Sequence, residues 1–281
     1  MELVVSTAWL AAELGKPDLI VLDVTKYLPN EPFDARAEFA RARIPGAGFL
    51  DIDEAADQDT TLPHMVPTAG RFAKVIGALG VSNAHRVVLY DQKGMHSAPR
   101  GWWLLRLFGH ESAAVLDGGL PKWKAEGRAL ESGAPAPATP ASFVQDLIAR
   151  RLAGIGDVKR AIAAGDALIL DARPRGRFDG TAPEPRPGLP SGHMPGAASL
   201  PFLSLFNADG TMKDSAALRA IFAAAGADGT RPIVTSCGTG VTACALTLGA
   251  LRAGLPEPAV YDGSWTEWSG RPETLKQTST P

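Results

Sequence analysis

The chain repeats itself, and this duplication constrains the fold more than any other feature of the sequence. Residues 86–91 (RVVLYD) correspond to residues 231–236 (RPIVTS), and residues 114–119 (AVLDGG) correspond to residues 259–264 (AVYDGS), both at an offset of 145 residues. Two shorter matches, VLD with ILD and a repeated PGA, have offsets of 148 and 150 residues. The sequence therefore predicts two copies of one structural unit, with small insertions in the second copy.

The length of the chain agrees with two domains. Its 281 residues are about twice the length of a common domain. Residues 133–140 (GAPAPATP) form a Pro- and Ala-rich linker that does not suit a regular element. We therefore predict an N-terminal domain at residues 1–135 and a C-terminal domain at residues 136–281.

Each half alternates short β-rich runs with helical patterns. In the second half, strands are predicted at residues 168–170, 233–236 and 259–261, and helices at residues 215–225 and 242–252. Such alternation indicates parallel strands joined by crossover helices, so each half is predicted to be an α/β domain, a small parallel sheet flanked by helices. Ligands of such sheets bind beyond the carboxyl ends of the strands.

Composition and charge exclude several classes of function. The formal net charge of -2 predicts no polycationic surface for nucleic acid. No stretch of 18 apolar residues and no secretory leader is visible, so we expect a cytoplasmic protein without a membrane partner. Cys237 and Cys244 are too close in sequence to form a disulfide framework, which favours a reducing compartment.

Cys237 stands between a predicted strand and a predicted helix, in the loop CGTGVT. Gly238 and Gly240 permit positive φ angles, so several backbone N–H groups can turn toward one point. The start of the following helix adds partial positive charge. Both effects stabilise an anion, so we interpret Cys237 as a thiolate nucleophile rather than a small buried residue in a turn.

Several segments together resemble the rhodanese superfamily, in particular its 3-mercaptopyruvate sulfurtransferases. They are CGTGVTAC at residues 237–244, DGSW at residues 262–265 with Trp268, and GHMPGA at residues 192–197. IPGA at residues 44–47 and LDGG at residues 116–119 extend the resemblance to almost the whole chain. It implies two tandem rhodanese-like domains.

The resemblance also implies a reaction. Sulfur would pass from 3-mercaptopyruvate to Cys237 as a persulfide, pyruvate would be released, and thioredoxin, a small thiol or cyanide would accept the sulfur. No cofactor and no metal is expected, since no metal-ligand cluster of Cys and His is visible.

The residues that follow the cysteine favour one sulfur donor. Members that use thiosulfate carry cationic residues there, whereas this chain has the neutral Gly238 and Thr239. Thr239 stands where mercaptopyruvate enzymes commonly have Ser, so a hydroxyl is retained. With Gly240, Val241 and Thr242, this loop is expected to contact the substrate. Phosphatases of this fold have a longer loop that ends in Arg, which is absent here. A thiosulfate:cyanide sulfurtransferase and a non-catalytic rhodanese-like binding module stay open as alternatives.

Residues outside the loop are assigned by the same resemblance. Arg177 and Arg186, in the Arg-rich segment 173–186, would bind the carboxylate and the carbonyl of the substrate. Asp53 and His64, from the first half, would form a relay that orients the Thr239 hydroxyl. In the first half Gln92 occupies the position that corresponds to Cys237, so that domain is predicted to be catalytically silent.

Overall fold

The computed structural model describes residues 1–279, which form two compact units. The first contains residues 1–58, 66–148 and 208–212; the second contains residues 59–65, 149–207 and the chain from residue 213 on. This division differs from the single cut predicted between residues 135 and 136. The difference arises because the linker continues along the first unit, where Ala141 N–H donates to Gly77 O at 2.8 Å. Farther along, Asn83 Nδ2 donates to Val144 O, and Val144 N–H donates to Asn83 Oδ1, both at 2.8 Å.

The first unit is built on a parallel sheet. Its strands are β1 (Val4–Val5), β2 (Leu19–Asp23), β3 (Gly48–Phe49), β4 (Arg86–Tyr90) and β5 (Ala113–Leu116). Its helices are α1 (Thr7–Glu13), α2 (Ala35–Arg41), α3 (Ile52–Ala55), α4 (Ala69–Ala78), α5 (Ala98–Leu107) and α6 (Gly119–Ala125).

The second unit follows the same plan. Its strands are β6 (Leu152–Ala153), β7 (Leu168–Asp171), β8 (Ala198–Ser199), β9 (Ile233–Ser236) and β10 (Ala259–Tyr261). Its helices are α7 (Ile155–Ala164), α8 (Arg175–Asp179), α9 (Ser215–Ala224), α10 (Ala243–Arg252) and α11 (Ser264–Gly270), with short 3₁₀ helices at Ala149–Arg151 and Phe202–Leu205.

The two sheets have the same topology. The strand order is β1-β5-β4-β2-β3 in the first and β6-β10-β9-β7-β8 in the second, and the neighbouring strands pair in parallel. The predicted α/β class, with one small parallel sheet in each half, is confirmed. No helix within residues 1–279 is long and apolar enough to cross a membrane.

The central strands, β4 and β9, are buried except for Arg86, as expected of strands covered on both faces of a parallel sheet. All four residues of β9 are buried, and α10, which follows it, is buried from Ala243 to Ala250. A strand and a helix fixed in this way hold the loop between them, residues 237–242, at the carboxyl end of the sheet. That end is where ligands of such sheets bind.

At the corresponding end of the first sheet, the side chain of Gln92 forms hydrogen bonds within the protein. Gln92 Nε2 donates to Asp23 Oδ2 at 2.9 Å and to Ala42 O at 3.0 Å. Asp23 corresponds to Asp171 in the repeat, but Thr25 stands where the second half has an arginine, Arg173. The Asp23 carboxylate therefore lies buried beside hydroxyl and amide donors. Burial raises its pKa from 3.8 to about 6, despite the hydrogen bonds from Thr25 and Gln92 that favour the anion.

This raised pKa predicts a pH dependence of the stability of the first unit. Between pH 4 and pH 6 folded Asp23 holds a proton that the unfolded chain has released, so the free energy of unfolding falls as pH rises through this window. From a pKa of 3.8 to about 6 the loss amounts to about 3 kcal/mol. Asp23→Asn removes this contribution. Hydrogen exchange of peptides that contain β4, measured at pH 4 and pH 7, should show a smaller loss of protection in Asp23→Asn than in wild type. Equal losses would contradict the assignment.

Candidate active site

Cys237 is the first residue after β9, and its side chain is almost wholly buried, at 2% exposure. Of the two loop glycines for which the sequence permits a positive φ, Gly240 has a φ of 75° and Gly238 does not adopt this conformation. The helix α10 begins at Ala243, one residue later than predicted. The loop therefore occupies residues 237–242 and ends at the N-terminus of a ten-residue helix.

The loop offers backbone donors to an anion. Within residues 1–279 the N–H groups of Gly238, Thr239, Val241 and Thr242 donate to no protein acceptor. Unsatisfied N–H groups beside a helix N-terminus stabilise negative charge. The loop thus has the donors that a thiolate or a persulfide anion needs, although the role of each loop residue stays a prediction.

The first turn of α11 contacts the loop from one side. Trp265 N–H donates to Cys237 O at 3.0 Å. Thr266 donates to Gly238 O twice, from its N–H at 2.9 Å and from its hydroxyl at 2.8 Å. The hydroxyl of Ser264 accepts the N–H groups of Cys237 and Gly240, both at 3.1 Å. The sequence alone predicts no role for Ser264.

A chain of four alternating charges lies beside the loop. Arg173 pairs with Asp171 at 2.6 Å and with Glu184 at 2.6 Å. Glu184 also accepts from Arg177, whose Nε lies 3.0 Å from Oε2 and whose Nη2 bonds to the same oxygen. The side chain of Glu184 is only 2% exposed. This buried carboxylate holds both arginines, a role that no sequence motif predicts.

The two arginines differ in their accessibility. The Arg173 side chain is 1% exposed, its guanidinium lies 4.5 Å from the centre of the Trp265 ring, and it donates to Gly192 O at 2.7 Å. Burial lowers its pKa, but the carboxylates of Asp171 and Glu184 outweigh burial and raise the pKa above its ordinary value. Arg173 is thus a fully engaged structural cation. The Arg177 side chain is 15% exposed, so it is less completely enclosed than Arg173.

Arg177 lies against the cysteine loop. A Cβ atom placed on Gly238 would come within 3.0 Å of Nη2 of Arg177, so the guanidinium occupies the space that a side chain at this position would need. Glu184 binds Nε and Nη2 of Arg177. Arg186 is half-buried two residues beyond Glu184. Substrate binding by Arg177 and Arg186 stays a prediction.

His64 reaches the loop. It belongs to the segment 59–65 of the second unit, and its Nδ1 lies 2.9 Å from the hydroxyl oxygen of Thr239. His64 has a φ of 62°, and its side chain is buried. The predicted contact between His64 and Thr239 is thus present. Asp53 belongs to the first unit, in α3, where its carboxylate pairs with Lys26, and its part in a relay stays a prediction.

Cys244 lies within the core. It is fully buried in α10, and its thiol donates to Gly240 O at 3.2 Å. Both cysteines are free thiols. Within residues 1–279, no group of three or more His, Cys, Asp or Glu side chains could hold a metal ion.

Comparison with known proteins supports the family predicted from the sequence. A model of the rhodanese-like domain matches twice, at residues 6–126 and 155–271. Human 3-mercaptopyruvate sulfurtransferase is 42% identical over 96% of this chain and 94% of its own length. Bovine thiosulfate sulfurtransferase is 41% identical over 96% of this chain and 93% of its own length. The crystal structure of SseA from Escherichia coli, a 3-mercaptopyruvate sulfurtransferase, superimposes with a TM-score of 0.86 at 34% identity, covering 94% of this chain and 99% of SseA.

Proposed function

Because the chain belongs to the family of proteins built from rhodanese-like domains, and its relatives over almost its whole length are sulfurtransferases, we propose that it is a sulfurtransferase that takes sulfur from 3-mercaptopyruvate. In this proposal Cys237 carries the sulfur as a persulfide, pyruvate is released, and a thiol or cyanide accepts the sulfur. The first unit carries no sulfur, since Gln92 occupies the position of the cysteine.

Overall identity does not choose between the two donors, since the human and bovine relatives differ by one per cent. The position of Arg177 against Gly238 supports mercaptopyruvate as the donor. The loop itself is neutral there, and the nearby cation stands to one side of the cysteine, held by Glu184. A donor with a carboxylate some atoms away from its sulfur, such as mercaptopyruvate, suits this separation of charge and nucleophile.

The first step is the attack of the Cys237 thiolate on the sulfur of mercaptopyruvate. A sulfur–sulfur bond forms, the carbon–sulfur bond breaks, and its electron pair leaves with carbon as the enolate of pyruvate. Arg177 binds the substrate carboxylate, and Arg186 binds the carbonyl oxygen on which the enolate charge develops. Cations placed at that oxygen stabilise the transition state more than the bound substrate.

The proton is the remaining requirement of this step. The substrate thiol brings one proton, and the enolate must gain one at carbon to become pyruvate. Thr239 follows Cys237 by two residues, and its hydroxyl is hydrogen-bonded to His64 Nδ1 at 2.9 Å. This hydroxyl can pass the proton of the substrate thiol to the enolate carbon.

A second thiophile then removes the outer sulfur and regenerates the Cys237 thiolate. A thiolate or cyanide attacks the outer sulfur of the persulfide, and the electrons of the sulfur–sulfur bond return to Cys237. Thioredoxin and small thiols are the proposed acceptors, and the cytoplasm, where thiols stay reduced, is the proposed location.

A comparison of donors tests the proposal. With cyanide as the common acceptor, kcat/KM should be at least about tenfold higher for mercaptopyruvate than for thiosulfate, because the loop lacks cations for a dianion. A higher value for thiosulfate would instead make the chain a thiosulfate:cyanide sulfurtransferase. Absence of turnover with either donor would favour the non-catalytic module.

Thr239 allows a test of the proton path. Thr239→Val keeps the volume but removes the hydroxyl, and we expect kcat with mercaptopyruvate to fall about tenfold or more while KM changes little. Thr239→Ser keeps the hydroxyl and should stay within about threefold of wild type. Steady-state kinetics at saturating acceptor measure both values. Equal kcat in the Val and Ser variants would remove Thr239 from the mechanism.

A further inference from the structure

Ser264 makes a three-way contact at the catalytic loop. Its side chain is fully buried, and its hydroxyl oxygen accepts two N–H groups, those of Cys237 and Gly240, each at 3.1 Å. The same hydroxyl donates to Tyr261 O at 2.7 Å, at the end of β10. One side chain thus connects the loop segment from Cys237 to Gly240 with the neighbouring strand β10.

The backbone of Ser264 is held in an unfavourable conformation. Its φ of 48° lies in the left-handed region that non-glycine residues rarely adopt. In the repeat, Gly119 is the residue of the first half that corresponds to Ser264, and it has a φ of 57°. The silent half therefore has glycine at this backbone position, whereas the half with the cysteine carries a side chain there at a conformational cost. Strain retained in this way marks positions that serve a function.

The contacts of α11 also decide where the loop N–H groups point. In a planar trans peptide the C=O group and the next N–H point in opposite directions. Trp265 and Thr266 draw the carbonyls of Cys237 and Gly238 toward α11, so the N–H groups of Gly238 and Thr239 point away from it. Within residues 1–279 those two N–H groups meet no acceptor, so they are available to an anion.

We propose that Ser264 is a positioning residue for sulfur transfer. By accepting the N–H groups of Cys237 and Gly240, its hydroxyl fixes the backbone conformation of residues 237–240, in which the other loop N–H groups converge on the anionic sulfur. The inference rests on the proposed function, since it assigns Ser264 to the same loop. Ser264 touches neither donor nor acceptor and acts through the backbone of Cys237.

The test compares two substitutions. Ser264→Gly removes the hydroxyl and also relieves the positive φ, so the variant should fold, and Ser264→Ala removes the hydroxyl alone. In both we expect kcat with mercaptopyruvate to fall about tenfold to a hundredfold, with KM within about threefold, because a displaced nucleophile slows the reaction more than it weakens binding. Alkylation of Cys237 by iodoacetamide at pH 7 should slow about tenfold.

Ser269→Ala is the matched control. Ser269 is a buried serine in the same helix, and its hydroxyl has no hydrogen-bond partner within residues 1–279. This variant should keep wild-type kcat and alkylation. The proposal is overturned if Ser264→Gly keeps both rates, if it loses kcat without slower alkylation, or if Ser269→Ala loses as much. A wild-type preference for thiosulfate would overturn the donor assignment alone, because alkylation needs no donor.

Discussion

Replacing Cys237 by serine is expected to reduce sulfur transfer to background, a loss of about a thousandfold or more. The oxygen of serine occupies nearly the same buried space beside the same loop donors, so the fold should persist. Serine cannot form a persulfide, and its hydroxyl is a much weaker nucleophile than a cysteine sulfur. Pyruvate release and thiocyanate formation from mercaptopyruvate and cyanide measure the loss.

Cys244→Ser is the control for this experiment. Cys244 is also buried and also a free thiol, and its side chain donates to Gly240 O, which serine can do as well. We expect this variant to stay within about threefold of wild type. Equal losses in the two variants would mean that removing a buried thiol, rather than the sulfur carrier, explains the result.

Arg177→Gln is expected to lower kcat/KM for mercaptopyruvate by about a hundredfold to a thousandfold, the range for losing a charge-assisted bond to a substrate anion. The change also leaves Glu184 with Arg173 as its remaining partner in the charge chain. The free energy of unfolding should therefore fall as well, because breaking a buried ion pair leaves an uncompensated charge. Kinetics at a temperature well below the unfolding midpoint separate the two effects.

Arg175→Gln provides the matched control for Arg177. Both arginines lie in α8, but the Arg175 side chain is 67% exposed and pairs with Asp179 at the surface. Exposed pairs contribute little to stability, so kcat/KM and the unfolding midpoint should both stay close to wild type. A loss of donor kcat/KM in Arg175→Gln equal to that in Arg177→Gln would indicate a general effect of charge and not a bound carboxylate.

The fold could be predicted from the sequence because the chain is duplicated. A segment predicted in one half can be compared with its counterpart in the other half, and the two sheets have the same strand order. Strand β9 and helix α10 were predicted to within one residue at each end, since buried parallel strands and the Gly-rich loop leave strong local signals. Local patterns do not show which unit a short segment packs with. For this reason the sequence predicted neither residues 59–65 in the second unit nor the linker up to residue 148 in the first.

Part of the candidate site could be proposed from the sequence. Cys237 and its loop come from the CGTGVT motif, and the contact of His64 with Thr239 agrees with what the family resemblance implies; the residues that support the loop have no such signal. Glu184 stands within an Arg-rich segment, and no motif marks it as part of the site, although a buried group of arginines requires a carboxylate. One sequence feature points to Ser264: the corresponding position of the first half is a glycine, Gly119. Its importance depends on a positive φ and three hydrogen bonds, which no sequence pattern displays.

The central claim is that Cys237 takes a sulfur atom from 3-mercaptopyruvate and holds it as a persulfide. Intact-mass measurement after the donor is added without an acceptor tests this claim most directly. Wild type should gain the mass of one sulfur atom with release of one equivalent of pyruvate, and cyanide or a thiol should remove the added mass. Cys237→Ser should gain nothing. A sulfur gain in Cys237→Ser, or pyruvate release from wild type without any gain, would contradict the account.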